Sequence, residues 1–410
     1  MSKINLNPIK GFKDIYPEEF LQRKYITDVI RKVSNSFGYL EYDGPVLEEN
    51  DLYRLKSGDS LNQETYTFKD RGGRLLTMRP EMTPTLARML ALRSTDYKKP
   101  IRWYSIPSVF RNENPQKARF RQFSQYNVDI IGDNSLLSDI EIINICVSIL
   151  RNLGFEDKDF KILFNNRESV FRDLSKYTKD FDKTMSLIDH KNKITESQFE
   201  SELLKLLKDK KYIESVMRYL AKEEFESIPE INDIINLGRS FDLNLIYDPT
   251  IVRGFDYYTG TVFEIWDSKN LIKRSIIGGG RYSNLISLLG GEDISGVGAG
   301  LGIEVLQSFI SEYNKKININ FSYDYFISTF DNIDVKFYSK IAGKLRENGD
   351  SVLLNLNNDW NLKKQLEFAL KINCKNFVIL GEKELKENKL LVKNLVDNKE
   401  TFISLKDLSI

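Results

Sequence analysis

Apolar residues in the N-terminal part of the chain recur first with a helical period and then with a strand period. Tyr25, Val29, Val33 and Phe37 lie four residues apart, which places them on one face of a helix predicted over about 19–37. Strands are predicted over 64–69, 74–78, 101–111 and 119–131, and further helices up to Leu90 and over 135–153. The N-terminal part is therefore predicted to mix strands with helices.

Two later parts of the chain have a different character. Residues 168–240 are rich in Lys and Glu, poor in Gly and helical in period, so they are predicted to form a helical insertion. Residues 321–410 alternate short apolar runs (YDYFIS, SVLLNL, NFVILG) with helical patterns, which predicts a small α/β domain with a largely parallel sheet. We therefore expect one domain over 1–313, including the insertion, and a second over 321–410.

The amino-acid composition excludes some classes of protein but does not identify the function. Hydrophobic residues make up 41% and charged residues 29%, and the net charge of +1 gives no sign of a nucleic-acid partner. Cys146 and Cys374 lie outside any CxxC pattern, so no zinc site is predicted, and so few cysteines suit a reducing cytoplasm. No apolar run has the length of a membrane helix and no signal peptide pattern is present, which predicts a cytoplasmic protein without a membrane partner.

The single histidine of the chain limits the possible chemistry. His190 lies in the polar stretch DHKNK, which is typical of a solvated helix end or turn. A Ser-His-Asp or Cys-His mechanism would depend on this residue alone. We therefore expect any catalysis to rely on carboxylates, arginines, backbone dipoles or a metal ion.

The strand predicted from Arg119 to Gly132 (RFRQFSQYNVDIIG) carries the densest set of polar side chains. Side chains of a strand alternate between its two faces. One face therefore carries Arg119, Arg121, Phe123, Gln125, Asn127 and Asp129. This face is either the solvated side of an antiparallel sheet or the floor of a ligand site, because Arg suits phosphate, Phe can stack on a base, and amides and carboxylates bind polar groups.

The sequence FRNE, followed by a loop and RFRQF, resembles motif 2 of the class II aminoacyl-tRNA synthetases. The segments RPEMTP and FSQYNVDIIG resemble the histidyl-tRNA synthetase family within that class. The resemblance implies an α+β fold, in which an antiparallel sheet is flanked by helices and carries a helical insertion and a C-terminal α/β anticodon-binding-like domain. It also implies a homodimer, with the first helix and the Gly44-Pro45 segment at the interface.

The same resemblance assigns roles to residues of this strand and its neighbours. It places ATP at Arg111, which would hold the α-phosphate, at Glu113, at Arg119 or Arg121, and at Phe123, which would stack on adenine. It places the α-ammonium group of histidine at Glu81 and Thr83, and the polar groups of its side chain at Gln125 and Asp129. A buried amine needs a carboxylate and an imidazole N–H needs an acceptor, which is consistent with this assignment.

Two further segments resemble motifs that are specific to the histidine enzymes. RGFDYYTGTVFEI can be a plain hairpin strand, but its resemblance implies that Arg253 bridges the substrate carboxylate and the α-phosphate, with Tyr257 and Tyr258 at the imidazole. IIGGGRYSNLI implies a histidine contact at Tyr282. In this second motif the chain has Ser283 where the family usually has an acidic residue.

The segment GVGAGLGIEVL resembles class II motif 3. Its glycines occupy every second position, so one strand face has no side chains and adenine is expected beside Gly300 and Gly302. The GxGxG spacing and the context do not match a Rossmann fingerprint, and no Gly-Lys-Ser/Thr follows the glycines of the other motif as in a P-loop. The chain departs from motif 3 at Val305, where the family normally has an arginine that binds ATP.

The resemblance extends to LGEKELKENKLLVKNL near the C-terminus, which looks like the last strands of the anticodon-binding domain; a small α/β interaction domain is the alternative. Taken together, the motifs imply a histidine–tRNA ligase that uses ATP with Mg²⁺ and binds histidine tRNA. Two alternatives remain. One is a synthetase-like paralogue that regulates histidine biosynthesis by binding an ATP phosphoribosyltransferase, and the other is a different class II specificity.

Overall fold

A computed structural model of the protein describes residues 4–54, 64–114, 119–191, 194–221, 228–251, 258–315, 317, 321–330, 332–357 and 359–406. The chain divides into two compact units, Met1–Ile317 and Asn318–Ile410.

The first unit combines helices with twelve described strands. Its helices are α1 Pro17–Ser36, α2 Asn50–Arg54, α3 Thr83–Arg93, α4 Leu136–Asn152, α5 Arg167–Leu174, α6 Phe181–Asp189, α7 Glu196–Leu206, α8 Ile213–Leu220, α9 Pro229–Arg239 and α10 Ile303–Glu312. Its strands are β1 Leu40–Glu41, β2 Leu47–Glu49, β3 Tyr66–Lys69, β4 Leu75–Met78, β5 Ile101–Ser105, β6 Ser108–Phe110, β7 Gln122–Ile131, β8 Phe160–Asn166, β9 Leu245–Tyr247, β10 Tyr258–Asp267, β11 Ile277–Tyr282 and β12 Gly296–Gly302.

The main sheet has the strand order β1-β5-β7-β12-β11-β10-β8-β9, and β6 also pairs with β7. The inner pairs are antiparallel, and only the two edge pairs, β1 with β5 and β8 with β9, are parallel. The expected antiparallel sheet is therefore confirmed for the inner strands. The strands β2, β4 and β3 form a separate small antiparallel sheet beside it.

The single strand predicted over 101–111 is wrong, because this segment is two strands. β5 ends at Ser105 and β6 begins at Ser108, with Ile106 and Pro107 between them. Proline has no N–H to donate to a sheet, so it interrupts the pairing. Both strands still pair with β7, β5 along its C-terminal half and β6 along its start, so β7 is bordered on this side over most of its length.

The hydrophobic core lies between the main sheet and helices α1, α4, α9 and α10. From β7 it receives Tyr126, Val128 and Ile130, which are all buried. In α1 the most buried apolar residues are Ile26, Ile30 and Val33, whereas Tyr25, Val29 and Phe37 pack only at the edge of the core. The helix was thus predicted correctly, but its most buried face lies slightly to one side of the predicted one.

The helical insertion predicted over 168–240 is present between β8 and β9. Helices α5 to α8 have a core of their own, which includes Val170, Leu174, Phe199 and Leu203. Helix α9 differs, because Ile231 and Ile234 join the main core instead. The insertion therefore has two parts, and only the first forms a separate hydrophobic cluster.

The second unit is a five-stranded sheet with three described helices. Its strands are β13 Tyr323–Ile327, β14 Val352–Leu354, β15 Cys374–Ile379, β16 Lys389–Asn394 and β17 Glu400–Ser404, and its helices are α11 Val335–Glu347, α12 Leu362–Lys371 and α13 Glu382–Lys386. In the order β14-β13-β15-β16-β17 the first three strands are parallel and the last two antiparallel. The prediction of a largely parallel sheet is therefore correct for β13, β14 and β15 and wrong for β16 and β17. These last two strands are joined by a short turn, which allows only antiparallel pairing.

Three isolated features complete the fold. None of the helices in the described part of the chain is both long and apolar enough to cross a membrane. Cys146 and Cys374 are buried free thiols. His190 is exposed at the end of α6, where its Nδ1 lies 2.8 Å from the Ser186 carbonyl oxygen.

Candidate active site

A cavity opens over β7, β11 and β12. It is lined by twelve of the residues predicted from the sequence: Glu81, Thr83, Arg111, Glu113, Arg119, Phe123, Gln125, Asp129, Tyr258, Tyr282, Gly300 and Gly302. These residues come from five separate stretches of the chain, and the sheet brings most of them together because β7, β12, β11 and β10 are successive neighbours.

The alternation predicted for the central strand is confirmed along β7. Phe123, Gln125, Asn127 and Asp129 line the cavity, while the residues between them face the core or the helices. Asn127 and Asp129 are only 4% and 3% exposed. The solvated-face interpretation of this strand is therefore wrong at its C-terminal half, and the ligand-floor interpretation fits the structure.

The glycines of β12 allow these polar side chains to lie flat on the sheet. A methyl group at Gly298 would lie 2.0 Å from Oδ1 of Asp129, and one at Gly300 would lie 2.4 Å from Nε2 of Gln125. Real Cβ atoms do not approach other atoms so closely, so any residue larger than glycine would displace these side chains. The bare strand face predicted for adenine is thus partly covered by Asp129 and Gln125.

One end of the cavity, which we call the acidic end, is formed by Glu81 and Asp129, both 3% exposed. The hydroxyl of Tyr282 donates a 2.7 Å hydrogen bond to Oδ1 of Asp129. Burial, assisted by the charge of Glu81, raises the pKa of the Asp129 carboxyl to about 7, although the Tyr282 hydrogen bond acts in the opposite direction. Buried carboxylates with little water favour a ligand that brings N–H donors or a positive charge.

Gln125 adds a further acceptor near this end. Its side-chain oxygen is buried and makes no hydrogen bond to any residue that the structure describes. Buried polar atoms in native proteins nearly always have a partner. A ligand donor in the cavity would provide one.

The opposite end, which we call the arginine end, contains Arg111, Arg119 and Arg274. Arg111 Nε donates to the Pro80 carbonyl oxygen at 2.9 Å, and its guanidinium carbon lies 5.4 Å from the centre of the Phe123 ring. The buried Glu113 carboxylate pairs with Arg119 and lies 3.7 Å from Nη1 of Arg111. Glu113 lies beside two of the three guanidinium groups and, among the residues described, Arg274 has no carboxylate beside it, so positive charge is in excess here and this end is suited to a phosphate-bearing ligand.

Three predicted residues are not brought into this cavity by the described structure. Arg121 donates to the carbonyl oxygens of Glu113 at 3.1 Å and Lys10 at 3.3 Å and does not line the cavity. β7 begins only at Gln122, so strand alternation does not govern the direction of Arg121. Arg253 and Tyr257 lie outside the described residues.

The two departures from the family motifs are both near the site. Ser283 Oγ lies 2.9 Å from Oγ1 of Thr259, so the two hydroxyls share a hydrogen bond. Val305 is 5% exposed, lines the cavity and packs in the main core. Val305 therefore gives the cavity an apolar wall at the position where motif 3 normally has an arginine.

Other lining residues were not predicted as site residues from the sequence: Phe120, Asn127, Arg274, Ser275, Ile276, Gly278, Gly298, Ala299, Glu304 and Val305. The strand alternation had already placed Asn127 on the polar face, and the glycine spacing includes Gly298, but neither residue was given a role in the site. Glu304 accepts hydrogen bonds from the Ser124 N–H at 3.1 and 3.2 Å, so it fixes the start of β7. Arg274 lies in a loop outside any predicted strand, so its position at the cavity is seen only in the folded structure.

Comparison with known proteins identifies the family. The histidyl-tRNA synthetase family profile matches residues 11–306. A histidine–tRNA ligase of Leptospira biflexa is 35% identical over 98% of this chain and 96% of its own length, and one of Thermoplasma volcanium is 33% identical over 99% and 98%. The crystal structure of histidyl-tRNA synthetase from a Nostoc species superposes with a TM-score of 0.79 at 25% identity, covering 99% of both chains.

The chain belongs to the histidyl-tRNA synthetase family. Membership of this family confirms the predicted class II synthetase fold and the predicted function as an aminoacyl-tRNA synthetase for histidine.

Replacing Gly298 with Ala tests the contact between β12 and the Asp129 carboxylate. The added methyl group would displace Asp129, so we expect a raised KM for histidine in amino-acid activation. Gly343→Ala in α11 is the matched control, because a methyl group there meets nothing within 4 Å and alanine favours a helix by about 1 kcal/mol. An unchanged KM for histidine in Gly298→Ala would contradict this account of the acidic end.

Asp129→Asn tests the burial of this carboxyl. Since the pKa of Asp129 is raised by folding, the ionised carboxylate destabilises the folded synthetase once the pH exceeds the unfolded pKa, and the penalty is complete above about 7. We expect the melting temperature of Asp129→Asn, relative to the unsubstituted protein, to rise as the pH increases from 5 to 8. A difference that does not change with pH would mean that Asp129 is solvated.

Proposed function

We propose that this synthetase binds histidine at the acidic end and the phosphates of ATP at the arginine end of the same cavity, forms histidyl-adenylate there, and transfers histidine to the 3′ end of histidine tRNA. One observation carries this proposal: a single cavity joins two buried carboxylates to a cluster of arginines, with an aromatic ring beside the arginines. A small amino acid with a basic side chain and a nucleotide have these complementary charges.

Histidine is assigned to the acidic end by charge and hydrogen bonding. Glu81 and Thr83 bind its α-ammonium group, and Gln125 and Asp129 accept hydrogen bonds from the imidazole. Tyr258 and Tyr282 complete the pocket for the ring, and the Tyr282 hydroxyl fixes one oxygen of Asp129. Arg253 and Tyr257 keep their proposed roles from the sequence motif.

ATP is assigned to the other end. Arg111 binds the α-phosphate, Arg119 binds further phosphate oxygens, and Glu113 accepts from the adenine amino group. Phe123 stacks on adenine, and Gly300 and Gly302 leave space at the wall beside it. Arg121 is excluded from this group, since its guanidinium donates to the backbone carbonyls of Glu113 and Lys10.

The reaction requires positioning and charge stabilisation only. A carboxylate oxygen of histidine attacks the α-phosphorus of ATP, the bond to the bridging oxygen breaks, and pyrophosphate leaves. Arg111 and Arg253 stabilise the charge that develops on the α-phosphate. The terminal ribose hydroxyl of the tRNA then attacks the histidyl carbonyl carbon, and AMP leaves.

Mg²⁺ is proposed as a companion of ATP. Among the residues described, no group of three or more His, Cys, Asp or Glu side chains is placed to hold a metal ion. Glu113 is paired with Arg119, and Glu304 is bound to the Ser124 N–H. The described part of the cavity thus offers no complete set of protein ligands for a metal ion, and Mg²⁺ would enter bound to the phosphates.

A homodimer is supported by apolar side chains near the N-terminus. Leu40 is 67% exposed, and Val46 and Leu47 lie beside the Gly44-Pro45 segment and are also exposed. Burial of such side chains against a second copy would remove apolar surface from water. A cytoplasmic location is supported by the two buried free thiols.

A regulatory paralogue is the second candidate, because Val305 replaces the expected arginine. Such paralogues typically lack an anticodon-binding domain and lose the histidine-binding groups. Here the second unit is present, and Asp129, Gln125 and Tyr282 line the cavity. These features favour the synthetase.

Histidine-dependent exchange of pyrophosphate into ATP tests the proposed function. We expect exchange with histidine and none above background with the other amino acids, because only histidine matches the acceptors at the acidic end. The measurement needs no tRNA and therefore isolates activation. Absence of exchange with histidine at saturating ATP would instead support the regulatory paralogue.

A further inference from the structure

We propose that Arg274 binds the β- and γ-phosphates of ATP and is the residue of the arginine end that holds the departing pyrophosphate. The inference rests on the proposed function and adds to it a residue that the sequence motifs did not indicate. Arg274 lines the same cavity as Arg111, Arg119 and Val305.

The loop that carries Arg274 is held firmly at both ends. The Asp267 carboxylate accepts backbone N–H hydrogen bonds from Lys269, Leu271 and Ile272 at 2.8, 2.5 and 2.9 Å, and a 2.6 Å hydrogen bond from the Tyr313 hydroxyl. After Arg274, the Ile276 N–H donates to the Ile265 carbonyl at 2.8 Å.

Buried side chains on either side of Arg274 reinforce this anchoring. Ile272 and Ile276 both belong to the main core. The backbone of Arg274 is therefore fixed between two buried residues while its side chain reaches the cavity. The Arg274 residue itself is exposed, so the anchored backbone is what keeps its guanidinium at the cavity.

Among the described arginines that line the cavity, Arg274 is the one without a hydrogen bond or ion pair to a described residue. Arg119 is paired with Glu113, and Arg111 donates to the Pro80 carbonyl. Arg274 makes no hydrogen bond or ion pair within the parts of the chain that the structure describes. Desolvation and the charges of Arg119 and Arg111 lower the pKa of its guanidinium, so the three cations repel one another.

A triphosphate would relieve that repulsion. Arg111 is assigned to the α-phosphate and Arg119 shares its charge with Glu113, so the terminal phosphates need a further cation. The wall at the start of α10 provides none, because Val305 is apolar. Arg274 is the available guanidinium, and guanidinium binds phosphate oxygens in a bidentate manner.

The test compares Arg274→Gln and Arg274→Lys with Lys273→Gln, a neighbouring exposed lysine that does not line the cavity. For each protein, the KM for ATP, pyrophosphate and histidine is measured in pyrophosphate exchange. Binding of a non-hydrolysable sulfamoyl analogue of histidyl-adenylate, which has no β- or γ-phosphate, is measured by calorimetry.

We expect Arg274→Gln to raise the KM for ATP and for pyrophosphate about 10-fold or more, the scale of a lost hydrogen bond to a charged group. The KM for histidine and the affinity for the sulfamoyl analogue should be unchanged. Arg274→Lys should raise the KM for ATP and for pyrophosphate less than Arg274→Gln does. Lys273→Gln should have the same KM values as the unsubstituted protein.

Two results would overturn the proposal. An equal loss of affinity for ATP and for the sulfamoyl analogue would place Arg274 at the adenosine or the α-phosphate, or would indicate a structural role. Normal exchange combined with slower transfer to tRNA would place it at a tRNA phosphate instead. Failure of the proposed function would be seen differently: the unsubstituted protein itself would show no histidine-dependent exchange.

Discussion

The site depends on a strand of polar side chains that lies against a strand of glycines. Asp129 and Gln125 of β7 occupy the space that side chains at Gly298 and Gly300 of β12 would fill. Because glycine has no side chain, a carboxylate can be buried at the floor of the cavity, where the Tyr282 hydroxyl donates a hydrogen bond to one of its oxygens. Burying a charge without a partner is costly, so the arrangement favours a ligand that brings hydrogen-bond donors to Asp129.

The rest of the fold supports this pair of strands. The apolar face of β7 packs on helices α1, α4 and α10, which fixes the strand from behind. β5 and β6 border it along one edge and β12 along the other. Charge is then separated along one floor, with Glu81 and Asp129 toward the C-terminal end of β7 and arginines around its start. In the proposed function, this separation would order the two substrates for attack on the α-phosphorus.

Much of this arrangement could be predicted from the sequence, because strand alternation and glycine spacing are local. Period-two alternation correctly placed Phe123, Gln125 and Asp129 on one face. It failed at Arg121, which precedes the strand and donates to the backbone carbonyls of Glu113 and Lys10. The break at Pro107 could have been expected from the missing N–H of proline. Arg274 could not, because a loop anchored by Asp267 and two buried isoleucines sets its position, and no short pattern encodes that.

The central claim is that histidine and ATP occupy opposite ends of this one cavity. A crystal structure of the protein with the sulfamoyl analogue of histidyl-adenylate tests it most directly. The account predicts an imidazole nitrogen within hydrogen-bond distance of Asp129 or Gln125 and an adenine ring stacked on Phe123. An imidazole among the arginines, or an analogue bound elsewhere on the molecule, would contradict it.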